Sequence, residues 1–139
     1  MTRDDRGALS TELAVVMVAF IAGFVLLVVF AGRVASAEND VRSAAHDAAR
    51  AASLTGSPAR AEAEARRVAA ANLETSGVAC RNGLDITVDV TEFRPGGRVA
   101  VTVTCRASLA DVATLAVPGD RTFASTAVEV IDTYRADNR

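Results

Sequence analysis

The stretch Leu13–Gly32, LAVVMVAFIAGFVLLVVFAG, contains no charge and no proline. It limits the possible folds more than any other feature of the chain. About twenty such residues make a helix of roughly 30 Å, the thickness of one hydrocarbon core. A helix apolar on every side, with charges before and after it, fits lipid better than the interior of so small a protein. We therefore read residues 8–32 as a transmembrane helix preceded by a short polar leader, residues 1–7. Arg3 and Arg6 precede the run, and acids count little in orientation, so the N-terminus is expected in the cytoplasm and everything after Arg33 outside it. Arg33 itself argues weakly for the reverse.

The helical signal continues past the span. Val34, Val41, Ala44, Ala45, Ala48 and Ala52 recur at three- and four-residue spacings, while Asp40, Arg42, Asp47 and Arg50 lie mostly off that stripe. Nothing interrupts the pattern before Thr55, so Ala8 to Leu54 reads as one rod of about 70 Å, oily first and amphipathic after. Residues 33–56 are its extracytoplasmic extension. Ser57 and Pro58 suit an N-cap and a first helical turn, so a second helix begins there and ends near Gly77. Its apolar face is Ala61, Ala65, Val68, Ala69 and Asn72–Leu73.

The period then changes to two. Leu84, Ile86, Val88 and Val90 alternate with Asp85, Thr87, Asp89 and Thr91. After the turn Arg94–Gly97, Val99, Val101, Val103 and Cys105 alternate in the same way, giving an antiparallel pair with one buried face. Val117–Asp120 reads as another turn and Thr122–Ile131 as a third strand of weaker alternation. The fold class expected is α+β, with residues 57–139 as a small domain built on the helical anchor.

Composition excludes more than it assigns. With no Trp, one Tyr and five Phe, the core is thin. A formal net charge of −2 favours no nucleic-acid partner. All 15 Lys-plus-Arg positions are Arg, in an Ala-rich chain, which we read as compositional bias. Cys80 and Cys105 lie in no CxxC or Cys/His cluster, so no metal is expected. They can form one disulfide in an exported domain, tying the helix-to-strand junction to the second strand, or remain two buried thiols. No catalytic constellation is visible: His46 and Asp47 are helix neighbours that point apart, and no phosphate loop appears. No enzyme activity and no cofactor are expected.

Glu12 stands at the mouth of the apolar run, where a carboxylate costs free energy. A polar leader, Gly7, Ala8, three more residues, Glu12 and a long apolar helix together resemble the processing site of type IV pilins and their relatives. That resemblance implies cleavage by a prepilin peptidase between Gly7 and Ala8, which makes Glu12 the fifth mature residue. The segment GRVASAENDVRSAAHDAARAAS, Gly32–Ser53, resembles the TadE/TadG-like proteins of tight-adherence pilus systems. VPGDRTFASTAVEVIDTYR, Val117–Arg135, is similar to actinobacterial members of that group. Two features depart from the pattern: no Pro follows Glu12 between Ala14 and Ala19, and the Cys pair is not assumed to be general. The resemblance implies a pseudopilin-like assembly component with three kinds of partner: prepilin peptidase, other pilin or pseudopilin subunits, and inner-membrane assembly proteins. It also implies a single-pass location in the cell membrane, or incorporation in a pilus. The analogy with type IV pilins leaves N-methylation of Ala8 open. For Glu12 it implies a charge pair with the terminal amine of a neighbouring subunit. Pairing with Ala8 of the same chain at i,i+4, and simple snorkelling to the headgroups, stay open beside it.

Two other readings compete. Ala35–Ala37 is a fair signal-peptidase site, with cleavage after Ala37, although the apolar run is longer than a usual h-region. An uncleaved anchor presenting a small binding domain would retain Met1. The protein's N-terminal residue discriminates among the three.

Overall fold

A computed structural model of the chain describes residues 5–80, 83–113 and 118–134. The expected rod is present: α1 runs unbroken through Asp5–Ser53, 49 residues, or about 73 Å at the α-helical rise. It starts three residues before the expected Ala8, inside the stretch read as leader. Thr55 helps to stop it, donating its hydroxyl to the Ala52 carbonyl at 2.9 Å. After a short turn, α2 (Pro58–Ser76) runs back along α1, ending at Gly77 in the left-handed conformation, φ 78°. Ser57 holds the N-cap position with an extended backbone, but its side chain makes no capping bond. Its carbonyl, instead, accepts from Ala61 N–H at 2.9 Å.

The sheet has the order β1-β2-β3, formed by β1 (Leu84–Asp89), β2 (Arg98–Ser108) and β3 (Asp120–Val130), antiparallel throughout. Leu84 faces Cys105 across the first pair, and Cys105 faces Phe123 across the second. The strand β2 continues three residues past the expected Cys105 and leads into a single helical turn, α3 (Leu109–Ala113), which the sequence reading lacked. Val90 falls just outside β1, in the turn. Of the expected turn Val117–Asp120, Val117 lies outside the described residues.

The core lies where α1 is held between α2 and the sheet. On α1 it consists of Val34, Ala37, Val41, Ala44, Ala45, Ala48, Ala49 and Ala52, all buried. The adjacent pairs Ala44–Ala45 and Ala48–Ala49 sit about 100° apart around the axis, which widens the stripe enough to serve two neighbours. On the side of α2 the buried row is Ala61, Ala65, Ala69 and Leu73, a strict four-residue ridge. Alanine at nearly every contact lets the two axes approach toward about 8 Å, the short end of the usual range. The sheet contributes Ile86, Val99, Val101, Val103, Cys105, Ala107, Phe123 and Ala127. Alanines bury little area each, so the larger apolar gain falls to the valines, Phe123 and Ile131, at roughly 1.5–3 kcal/mol for each fully buried side chain.

Candidate anchoring and processing site

The first half of α1 leaves the domain bare. From Leu13 to Val29 every large apolar side chain is exposed, from 46% at Val29 to 71% at Phe20. The consecutive residues Val15, Val16, Met17 and Val18 are all exposed, so the apolar surface runs around the whole helix. No residue of the most apolar 18-residue window is buried, and this is the one candidate membrane span among the described residues. Phe30 marks the transition: it is half-buried and packs against the core, and Val34 follows inside it.

Gly7 and Ala8 lie in the first turns of α1, as backbone; their side chains are outside the described ones. Glu12 follows one turn later and is exposed. Among the described residues no ion pair holds its carboxylate. The helix thus places Ala8 and Glu12 four residues apart on one face, as their spacing requires.

Cys80 and Cys105 are bonded, with S–S 2.00 Å and Cα atoms 5.2 Å apart. Cys105 is fully buried on the inner face of β2, among Val99, Val101, Val103 and Ala107. Cys80 lies in the segment that leads from α2 to β1. The bridge ties this connection to the central strand, as one of the two readings of the sequence had it.

Where α1 enters the domain, the structure collects residues that the sequence left scattered. Because α2 is antiparallel to α1, its end at Ser76–Gly77 returns to the level of Arg33–Asp40. The turn of α3 packs against the same stretch. Together they line a partly open cavity of about 120 Å³, with Arg33, Asp40 and Asp111 at its wall. Only the position of α3 brings Asp111 there, and no local signal marks it.

The charge perturbations lie elsewhere. Hydrogen bonds from Arg67 hold the Glu64 carboxyl below its ordinary range. Those from the hydroxyl and the N–H of Thr91 do the same for Asp89. All are on the surface of the domain. No cluster suited to a metal ion occurs among the described residues.

The TadE-like protein family model matches residues 7–50. The chain is TadE-like over that stretch. The match opens at Gly7 and closes inside α1, so it takes in the exposed rod and most of its buried continuation. This TadE-like character implies a Tad pilus-associated protein, and the one apolar N-terminal helix fits a single-pass anchor in such a protein. Helix α2 and the sheet lie outside the matched residues, as does the C-terminal likeness of residues 117–135. No curated protein and no solved structure matches the chain.

Proposed function

We propose that this TadE-like chain is a pseudopilin-like structural or assembly component of a tight-adherence pilus system. In this reading α1 spans the membrane, residues 57–139 lie outside the cytoplasm, and a prepilin peptidase removes the leader after Gly7. The observation that carries it is the division of one continuous helix. Its first part is apolar and exposed all round, and its second part is the spine of a folded domain. Such a helix leaves the domain with no slack between bilayer and core, as a subunit that must be set at a defined height requires.

Two further features support the reading. A disulfide between Cys80 and Cys105 suits an oxidising compartment, hence the outer side of the membrane. Cleavage after Ala37, the signal-peptide alternative, would remove Val34 and Ala37 from the core, where they are 8% and 4% exposed. It would also cut within a helix that is packed on two sides. Cleavage at Gly7–Ala8 falls ahead of every core residue. Gly7 is helical here, and an interior glycine weakens a helix by about 1 kcal/mol relative to alanine, which eases the local unwinding that a peptidase needs.

The N-terminal residue of the protein recovered from membranes tests the proposal. Ala8 is the expected result; Glu38 supports the signal peptide and Met1 or Thr2 the uncleaved anchor. Replacing Gly7 should leave the full-length precursor in the membrane. The role of Glu12 is tested separately. After cleavage the Ala8 ammonium is the charge best placed to meet a Glu12 carboxylate, in the same chain or a neighbour. In lipid, polar contacts and close packing set helix register. Glu12→Ala should leave membrane insertion intact and reduce both piliation and co-purification of the other subunits. Unchanged levels of both would remove Glu12 from assembly.

A further inference from the structure

The cavity at the junction of rod and domain has an unusual charge pattern. Among the described residues its wall carries one cation, Arg33, and two anions, Asp40 and Asp111. None of the three forms an ion pair with another described residue. Arg33 is the first charge after the apolar run. Asp40, half-buried, stands seven residues farther along the same helix, about 10 Å away along the axis. Ser76 and Gly77, which close α2, complete that side, and the C-terminal end of a helix carries partial negative charge. Along α1 the wall therefore runs from positive at Arg33, next to the apolar run, to negative at Asp40.

We propose that this cavity binds the headgroup of a phospholipid bearing a primary amine, a phosphoethanolamine lipid of the surrounding bilayer. The proposal rests on the membrane-anchored reading of α1. In such a lipid the phosphate lies next to the acyl chains and the ammonium lies beyond it. That order matches Arg33 followed along α1 by Asp40, with Asp111 a second carboxylate in the same wall. A guanidinium suits a phosphate, and an ammonium with three N–H donors suits carboxylates and helix-end carbonyls. Among the described residues no aromatic lines the cavity, which gives it no cage of the kind that favours a trimethylammonium headgroup. Two carboxylates oppose a headgroup that is only anionic. The lipid source follows from position: the cavity lies where the apolar surface of α1 ends, which in the anchored reading is the depth of the headgroups.

The test uses the whole chain, Met1–Arg139, in nanodiscs with equal parts of phosphatidylethanolamine, phosphatidylcholine and phosphatidylglycerol of identical acyl chains. Lipids retained on release are read by native mass spectrometry. The expected result is retention of phosphatidylethanolamine over the other two by roughly tenfold, the scale of one charge-assisted hydrogen bond. The double variant Asp40→Asn, Asp111→Asn should lose the preference over phosphatidylcholine, and Arg33→Gln should loosen all three lipids. Far-UV circular dichroism and the intact mass of the bridged protein show that the variants fold. Equal retention of phosphatidylcholine, a preference for phosphatidylglycerol, or an unchanged double variant would overturn the proposal. So would displacement of the lipid by glycerophosphoethanolamine as effectively as by phosphatidylethanolamine, because the ligand would then be a soluble compound. Failure of the chain to float with vesicles of any composition would sink the anchored reading itself, and this inference with it.

Discussion

Gly97 is buried just before β2, and a Cβ there would run into the backbone carbonyl oxygen of Glu92. The obstruction is backbone, held by Arg98 N–H to the same Glu92 oxygen at 3.2 Å and by Gly97 N–H to Arg94 O at 2.8 Å. No side-chain rotation relieves it. Gly97→Ala should therefore cost about 2 kcal/mol, the usual penalty of overpacking. It should lower the midpoint of thermal unfolding of the solubilised chain by at least about 8 °C. The Arg94–Gly97 turn was legible from Pro and paired glycines, but not which glycine is sterically required. That depends on how the turn folds back on Glu92, beyond the reach of local pattern. Cys80 and Cys105 were legible as a candidate pair. The choice of bridge over free thiols needed the β2 register and the path of the chain after α2.

Among the elements, the helices were easier to read than the last strand. The stripe on α1 is long and strictly spaced, so Val34, Val41, Ala44, Ala45, Ala48 and Ala52 all turned out buried. On α2 only the four-residue ridge is fully buried; Val68 and Asn72 are half-exposed at its margin. In β3, Phe123 and Ala127 face inward, whereas Val128 and Val130 face outward and are 53% and 72% exposed. Register decides this face. The pairing of Val101 with Ala127 and of Cys105 with Phe123 puts the odd-numbered residues inside, whatever the hydropathy of their neighbours. The outer face is polar at its centre, where the Thr102 and Thr126 hydroxyls are bonded at 2.8 Å. The alanine ridge gives the prediction at this scale. Ala65→Leu should force α2 away from α1 and cost about 1–3 kcal/mol, whereas Ala71→Leu on the exposed face should be nearly neutral. Urea unfolding of the two variants checks the contrast.

For the molecule as a whole, the thin core makes the single covalent tie important. The bridge closes a loop with a sequence separation of 25, which in the chain-entropy picture stabilises by about 3 kcal/mol. Stabilities of small domains amount to about 5–15 kcal/mol, so that is a large share. Replacing both Cys80 and Cys105 by Ala should shift the urea midpoint down by a comparable free energy while the exposed half of α1 continues to partition into membranes. The α+β class and the order of elements were legible because each change of hydropathic period coincides with a change of element. The short α3 was not, since five residues give no periodicity, and the junction cavity with it. A site assembled from the middle of α1, the end of α2 and the turn of α3 appears only when the chain is packed.

The unbroken course of α1 has a mechanical consequence. Neither a proline nor a loop divides its exposed part from its packed part, so the rod and the domain have no joint between them. Shifting the rod along its axis by one turn would raise the domain by about 5 Å, and twisting it would swing the sheet through the same angle. An engine acting only on the oily end would move the folded end as a piston moves its head.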